Sequence, residues 1–323
     1  MIKHMLMAAL SVSLFTQVAT PARAQDYPSR SITLVIPFAP GGATDSLGRL
    51  LAQKMSANMG QPIVVENKSG AGGSIGSNFV ARAAPDGYTL LLGTSSTLGV
   101  NPWMFTLPYD VQKDFEPISV VASGEFVLAI NPTAHPDIKT VQDFIDLGKQ
   151  QRLTYGSAGH GSNGHLGGVL LAQRSNADLV HVPYKNQAQA QNDLQGGHVD
   201  FMIDSISNVV ETARSGALRI LATTARTRST VLPEVPTMIE AGIDDYELIG
   251  WYMLMAPSGT PDAIVAKLNA ELVKALNLPD VEERLRFFGF NPRSSTPAQA
   301  GEFLNDQLNG FKALVEMAGV KKE

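Results

Sequence analysis

The sequence has 323 residues, of which 44% are hydrophobic and 17% are charged. This length and composition are typical of a globular protein of about two domains and exclude a disordered chain. Because there are no cysteines, disulfides, a thiol nucleophile and cysteine-ligated zinc or iron–sulfur sites are excluded. The formal net charge of −5 argues against a broad phosphate-binding surface, and therefore against nucleic acid as the main partner.

The first 24 residues are typical of a secretory signal peptide. Lys3 and His4 precede an apolar run from about Met5 to Val18, and an Ala-x-Ala sequence ends at Ala24. A membrane anchor is the weaker interpretation, because the apolar run is short and polar residues interrupt it. We therefore expect export, cleavage after Ala24 and a mature chain that is not embedded in a membrane. Export also makes a nucleotide cofactor unexpected, and no cofactor is predicted.

Strand patterns alternate with helical patterns along the mature chain. The predicted strands are Ile32–Phe38, Ile63–Glu66, Thr89–Leu92, Leu128–Ile130, Val180–Tyr184, Phe201–Ile203, Ile220–Thr224 and Trp251–Ala256. The predicted helices are Asp45–Met59, Val141–Lys149, Leu166–Gln173, Ala188–Leu194, Asn208–Arg214, Asp262–Leu276 and Pro297–Met317. This alternation predicts an α/β fold with largely parallel sheets.

Two apolar stretches, Pro117–Ser123 and Leu248–Pro257, are interpreted as extended crossings between two lobes. The first lobe would then contain residues 25–124 and 250–323, and the second lobe, residues 125–249, would be inserted into it. A chain that crosses twice forms a hinge with a ligand cleft between the lobes. A single large sheet would give similar strand patterns, so that alternative stays open.

Three loops combine glycine and hydroxyl residues between a strand and a helix: Pro40–Asp45, Gly93–Thr97 and Gly156–His165. In open α/β sheets the carboxyl ends of the strands face the ligand crevice. The following helices present free N–H groups there, which bind anions. None of the three loops contains lysine or arginine. They therefore suit a small carboxylate better than a phosphate.

Several single residues near these loops keep two interpretations. Thr44, Asp45 and Ser162 either contact a ligand or only cap their helices. Lys185 is a cation at the end of a strand and is either a ligand contact or a solvated surface residue. Asp204 ends another strand, where it either caps a helix or accepts a hydrogen bond from a ligand hydroxyl or amino group.

Two sequence motifs associated with catalysis or cofactor binding match only in part. Gly159–Gly164 fits the dinucleotide pattern G-x-G-x-x-G, but Asp178 lies before the next strand and not at its end. Gly72–Gly76 fits the G-x-S-x-G nucleophile motif without a strong strand before it and without a signal for acidic and histidine partners. A secreted serine hydrolase that acts through Ser74 or Ser157 is the alternative from a different class.

The histidines are predicted to bind no metal. His160 and His165 are five residues apart, and His181 and His198 lie elsewhere, so neither arrangement has the spacing of metal ligands on a helix. Hydrogen-bonded or solvated histidines are the preferred interpretation.

Seven segments closely resemble the Bug proteins, the periplasmic substrate-binding proteins of tripartite tricarboxylate transporters. They are Ile32–Asp45 (ITLVIPFAPGGATD), Val64–Gly76 (VVENKSGAGGSIG), Pro85–Gly93 (PDGYTLLLG), Leu107–Phe115 (LPYDVQKDF), Tyr155–Ser162 (YGSAGHGS), His181–Lys185 (HVPYK) and Pro233–Gly242 (PEVPTMIEAG). The resemblance covers essentially the whole mature chain. It implies a periplasmic location and a two-lobed Venus-flytrap fold that buries a small ligand, usually a carboxylate. It also implies delivery of that ligand to a two-component membrane permease.

Carried over residue by residue, the resemblance places the ligand in loops from both lobes. The expected ligand-binding residues are Phe38, Gly42, Ala43, Thr44, Asp45, Thr94, Ser95, Ser96, Ser157, Ala158, Ser162, Asn163, Tyr184, Lys185, Asp204 and Ser205. Asn186 and His160 depart from residues common in the family, which leaves the ligand's identity open. His160 is expected to make binding sensitive to pH, and Trp251 is a candidate pocket wall.

The resulting prediction is a solute-binding protein for a small organic carboxylate, not an enzyme, and a monomer. Dicarboxylates, tricarboxylates, amino acids and aromatic carboxylates all remain compatible with a cleft poor in cations. Besides the hydrolase, one further alternative is a ligand sensor that signals to a receptor kinase, because sensing uses the same ligand-dependent closure as transport.

Overall fold

The computed structural model describes residues 27–287, 289–319 and 322, so the predicted signal peptide lies outside the described residues. The strands are β1 Ile32–Ile36, β2 Ile63–Asn67, β3 Thr89–Thr94, β4 Phe115–Ile130, β5 Leu153–Ser157, β6 Leu179–Pro183, β7 Phe201–Ser205, β8 Arg219–Thr223, β9 Ile249–Pro257 and β10 Phe290–Pro292. The helices are α1 Ala43–Met59, α2 Ser74–Ala81, α3 Asn101–Met104, α4 Val141–Gln150, α5 Asn163–Ser175, α6 Gln187–Gln195, α7 Ile206–Arg214, α8 Asp262–Leu276, α9 Pro279–Phe287 and α10 Pro297–Met317. A π-helical turn spans Ser95–Val100 between β3 and α3.

The strands form one curled sheet in the order β2-β1-β3-β9-β4-β7-β5-β6, with β8 and β10 paired to β4. The outer pairs β1–β2, β1–β3, β5–β6 and β5–β7 are parallel. The central pairs β3–β9, β4–β9 and β4–β7 are antiparallel. The expectation of largely parallel sheets is therefore correct for the outer strands and wrong for the centre, where the two crossing segments run in opposite directions.

Strand β4 connects the two halves of the sheet. Its first part pairs with β9, down to Glu125 opposite Ile249. From Phe126 onward it pairs with β7, where Phe126 lies opposite Ser205. The predicted lobe boundary after residue 124 falls at this change of partner, and the exact division of the chain into lobes stays a prediction.

The long helices form where the apolar spacing predicts them. In α1, Leu47, Leu51 and Met55 are all buried on one face, and the helix ends at Gly60 with φ of 68°, a left-handed conformation that glycine adopts at low cost. Helix α10 begins at a capping box in which Thr296 accepts from Gln299. In the described part of the chain, no helix is long and apolar enough to cross a membrane.

Helices α2, α3 and α9 and strand β10 were not predicted from the sequence. Helix α2 contains the G-x-S-x-G sequence, and Ser74 is its first residue, directly after a 3₁₀ turn at Ala71–Gly73. A nucleophile elbow requires a strand immediately before the serine. The local structure therefore gives Ser74 the position of a helix N-terminal residue, not that of an exposed nucleophile.

Candidate functional site

A cavity of about 260 Å³ lies where strands β1, β3 and β7 end and several helices begin. Its walls are formed by Phe38, Ala43, Thr44, Thr94, Ser95, Ser96, Phe126, Ser162, Asn163, Gly164, Gln187, Ile203, Asp204, Ser205, Asn208, Gly250, Trp251 and Tyr252. A wider outer opening of about 990 Å³ shares Phe38, Ala43, Thr44, Gln187 and Asn208 with this inner cavity. The inner cavity therefore adjoins the outer opening.

The first half of the sheet presents neutral hydrogen-bond donors to the cavity. Helix α1 begins at Ala43, and its N-cap residue Gly42 has no side chain to satisfy the first N–H groups. On the neighbouring strand, Thr94 caps the π-helical turn through a reciprocal bond with Thr97, which places the buried Ser95 hydroxyl at the cavity wall. Both helical ends direct a partial positive charge at the same space.

The second half of the sheet reaches across the cavity through helix α5. Ser162 is the N-cap of this helix and accepts a hydrogen bond from His165 N–H at 3.2 Å. The next residue, Asn163, donates from Nδ2 to Ser95 Oγ at 3.3 Å and to Ser96 Oγ at 3.4 Å. These long hydrogen bonds join the two walls of the cavity directly.

Asp204 is the acidic residue of the inner cavity. Its Oδ1 accepts hydrogen bonds from the Ser205 backbone N–H at 2.7 Å and from Asn208 Nδ2 at 3.0 Å. Its Oδ2 has no hydrogen-bond partner among the described residues. Burial raises the pKa of Asp204 to about 6, although the amides of Asn208 and Gln187 and the Ser205 N–H favour the ionised form. No lysine or arginine lines the inner cavity within the described ranges.

Asp45 lies at the outer opening and not in the inner cavity. Its Oδ2 accepts from Arg49 Nε and from Gly41 N–H, both at 2.9 Å, and its Oδ1 accepts from Asn67 Nδ2 at 2.9 Å. The hydrogen bond from Arg49 is the main reason that the pKa of Asp45 falls to about 2. Asp45 therefore holds the glycine loop before α1 in place.

The structure divides the sequence-predicted ligand residues into three groups. Those that line the inner cavity are Phe38, Ala43, Thr44, Thr94, Ser95, Ser96, Ser162, Asn163, Asp204 and Ser205. Gly42 and Asp45 line only the outer opening. Ser157, Ala158, Tyr184 and Lys185 lie outside both.

The four residues outside the cavities have other surroundings. Tyr184 donates its hydroxyl proton to Asp193 Oδ2 at 2.7 Å, and Ala158 and Lys185 are exposed. Ser157 is fully buried and its Oγ lies 2.6 Å from His181 Nε2. In this conformation, these four residues lie outside both cavities, and their placement in the ligand site stays a prediction.

The sequence interpretation missed several wall residues, among them Phe126, Gln187, Asn208 and Tyr252. Gln187 and Asn208 lie in the first turns of α6 and α7, one or a few residues beyond the strand-end positions that were considered. Extending each strand-end motif by one helical turn would have found them. Phe126 and Tyr252 lie on the crossing strands, and only their antiparallel pairing places them at the cavity.

His181 meets two histidines of the loop before α5, His160 and His165, near Ser157. His160, His165 and His181 place one ring nitrogen each within 4.8 Å of one another, which the sequence spacing did not indicate. The rings of His165 and His181 are stacked, with centroids 4.1 Å apart and planes 26° apart. The His160 ring stands nearly perpendicular to both, at 87° to His165 and 81° to His181. This spacing could hold a metal ion, and the expectation that the histidines bind no metal stays a prediction.

The pair Ser157–His181 has the spacing of a nucleophile and its base, but other requirements fail. Ser157 is 0% exposed, and His181 Nδ1 has no orienting partner in the described part of the chain. Burial, together with the adjacent His165 and His160, lowers the pKa of His181 to about 3. A general base works best with a pKa near the working pH, so this pair gives the hydrolase alternative no support.

Comparisons with known proteins agree with this architecture. Residues 47–320 match the profile of the tripartite tricarboxylate transporter family receptor. BugT of Bordetella pertussis is 36% identical over 320 residues, which are 98% of each chain. The R. palustris protein Rpa4515, solved with adipate, is 33% identical and superposes with a TM-score of 0.83. The match covers 92% of this chain and 100% of Rpa4515.

A second solved structure supports the same assignment. MatC from Rhodopseudomonas palustris, solved with bound malate, is 34% identical, with a TM-score of 0.77, and 90% of this chain covers all of it. The predicted two-lobed α/β fold of a periplasmic binding protein is thus confirmed. The chain belongs to the tripartite tricarboxylate transporter receptor family, a family of solute-binding proteins that includes the Bug proteins.

Proposed function

We propose that this chain is exported to the periplasm, captures a small organic carboxylate in the inner cavity and delivers it to a two-component membrane permease. The observation that carries the proposal is the cavity itself, where α1 and the π-helical turn begin and Ser95, Ser96 and Thr44 supply hydroxyls without any lysine or arginine in the described lining. Neutral donors of this kind suit a small carboxylate better than a phosphate, which carries more charge.

The lobes would close on the ligand through Asn163. Its hydrogen bonds to Ser95 and Ser96 are the direct link between the two walls. A ligand that contacts both walls binds the closed form more tightly than the open form, and it therefore shifts the population toward closure. The permease would recognise that closed form.

Binding is tested first by a thermal-shift screen of the chain from Gln25 onward against small carboxylates. Adipate and malate lead the panel, because related proteins have been solved with them. A ligand at 100 times its Kd stabilises the native state by about 2.7 kcal/mol, which is several degrees for a protein of this size. If no carboxylate shifts the melting temperature and native mass spectrometry finds no retained ligand, the proposal is wrong.

Two substitutions then locate the site. Thr44→Ala and Ser162→Ala are each expected to weaken carboxylate binding about three- to tenfold, the range of one neutral hydrogen bond. Ser162→Ala also removes the N-cap of α5 and lowers stability by about 1 kcal/mol, so stability is measured in parallel. Thr106→Ala, an exposed threonine outside the inner cavity, is the matched control and should bind as the wild type does.

Transport and sensing are separated in cells. Deletion of the gene should abolish uptake of the identified ligand if the chain serves a permease. Intact uptake together with lost induction of ligand-responsive genes would support the sensor alternative instead.

A further inference from the structure

Asp204 is a buried carboxylate that the protein satisfies only in part. Its side chain lies at the end of β7, and the residue is 4% exposed. Ser205 and Asn208 both donate to Oδ1, whereas Oδ2 meets no donor from residues 27–287, 289–319 or 322. Because an unpaired buried acceptor is costly, the missing donor is expected to arrive with the ligand.

Asn163 supplies a second unpaired acceptor on the wall of the same cavity. Its Nδ2 is used toward Ser95 and Ser96, and its Oδ1 is buried without a partner in the described ranges. Gln187 Nε2 also lacks a partner within hydrogen-bond distance, but its amide already favours the ionised form of Asp204, so we do not count it as a donor for the ligand. The two acceptors, Asp204 Oδ2 and Asn163 Oδ1, are therefore open to a bound molecule.

The charge of the cavity limits what this molecule can be. Asp204 and Tyr252 are the ionisable side chains among the wall residues, and burial raises the pKa of Tyr252, which keeps its hydroxyl neutral. Arg49 lies outside, where Asp45 pairs with it. An unsubstituted carboxylate would bring negative charge beside Asp204 and would offer only acceptors to Oδ2 and to Asn163 Oδ1.

We infer that the ligand is a carboxylic acid that also carries a hydrogen-bond donor, with an ammonium group preferred over a hydroxyl. Its carboxylate lies against the N-terminal ends of α1 and the π-helical turn, and its donor lies against Asp204 Oδ2 and Asn163 Oδ1. Ammonium is preferred because it offers three N–H bonds and offsets the buried charge of Asp204. This inference rests on the proposed carboxylate-binding function and specifies the class of carboxylate.

Matched sets of acids test it by calorimetry at pH 7.5. Succinate, malate and aspartate form one set, and glutarate, 2-hydroxyglutarate and glutamate form a longer one. In at least one set, the amino acid should bind at least about tenfold more tightly than the unsubstituted acid, and the hydroxy acid should have an intermediate affinity. The reason is that a hydrogen bond to a charged group is worth at least about a factor of ten in affinity.

Substitution of the acceptor should remove that preference. Asp204→Asn should bring the amino acid and the unsubstituted acid to within about threefold of each other, because the ionised partner is gone. Asp178→Asn makes the same change at an exposed aspartate that pairs with Arg152, and it should keep the preference. Stronger or equal binding of the unsubstituted acids by the wild type overturns the inference but leaves the proposed function standing. Binding of none of the six acids, or of any acid in the broader thermal-shift panel, overturns both.

A second readout needs no variant. Near pH 6, binding of a donor to ionised Asp204 should release about half a proton per ligand, because the free protein is then about half protonated at that site. Calorimetry in two buffers with different ionisation enthalpies gives this number. Proton uptake would mean that protonated Asp204 donates to a ligand carboxylate, and it would overturn the inference.

Discussion

Asp45 and Asp204 are two aspartates with the same small exposed area and opposite chemistry. Each is 4% exposed and lies near the start of a helix that borders the ligand cavity. Asp45 receives three hydrogen bonds, one of them from a guanidinium, and its pKa falls to about 2. Asp204 receives hydrogen bonds on one oxygen, and burial raises its pKa to about 6.

Exposed area alone therefore does not decide what a carboxylate does. Desolvation is the largest influence on the pKa of Asp204 in the inner cavity, whereas at the outer opening the hydrogen bond from Arg49 outweighs desolvation of Asp45. Asp45 thus stabilises the loop that opens α1, and Asp204 keeps an acceptor for a partner outside the protein. The predictions below test this difference, beginning with the largest effect.

Asp45→Asn should destabilise the protein by about 2 to 3 kcal/mol at pH 7, since it removes the charge on which three donors converge. The folded pKa of Asp45 is lowered, so its contribution is present above the unfolded pKa and is lost as the pH falls from about 4 to about 2. Urea unfolding at pH 7 measures the loss. Asp178→Asn, an exposed ion-pair partner, should change stability by less than about 1 kcal/mol.

Asp204→Asn should stabilise the ligand-free protein at pH 7, by about 1 to 2 kcal/mol, because it removes a buried charge that is short of donors. The folded pKa of Asp204 is raised, so the wild type gains stability as the pH falls from about 6 to about 4. The difference between variant and wild type should therefore shrink over the same range. A destabilised variant at pH 7 would show that the carboxylate has a structural partner after all.

Ligand affinity should fall about tenfold between pH 7 and pH 5 as Asp204 becomes protonated in the free protein. The pKa of Asp45 is about 2, and burial lowers the pKa of His165 to about 4 and of His181 to about 3, so none of these changes charge in that interval. Calorimetric titrations at five pH values measure the trend, and Asp204→Asn should abolish it. A trend that survives in Asp204→Asn but disappears in His160→Ala would assign the sensitivity to His160.

Lys185→Ala and Tyr184→Phe should change affinity by less than about twofold. Lys185 is exposed and Tyr184 is bonded to Asp193, and both lie outside the cavity. Equilibrium binding with the ligand from the screen checks this. A tenfold loss for Lys185→Ala would place this cation against the ligand in the bound state and would support the sequence-based prediction.

Much of the fold followed from local patterns. Helices α8 and α10 have the predicted bounds, and β1 and β3 differ from prediction by two residues at one end, because apolar spacing and caps are encoded in neighbouring residues. The three glycine and hydroxyl loops were also identified as candidate ligand contacts, and each contributes residues to the cavity wall. The antiparallel centre was missed, because strand direction depends on where the chain returns to the sheet and not on the residues of the strand.

By itself, the sequence determined most of the longer helices and strands, the loops at the strand ends and the family, because these depend on residues close together in the chain. Tertiary structure alone decided that Tyr184 and Lys185 lie outside the cavity in this conformation, that Asn163 donates to Ser95 and Ser96, and that His181 packs against His160 and His165. It also decided which buried aspartate accepts hydrogen bonds on both carboxylate oxygens and which on only one. The number of donors around a carboxylate depends on side chains from separate elements. Asn67 on β2, for example, donates to Asp45, and a contact between residues so far apart in the chain cannot be predicted from the local sequence.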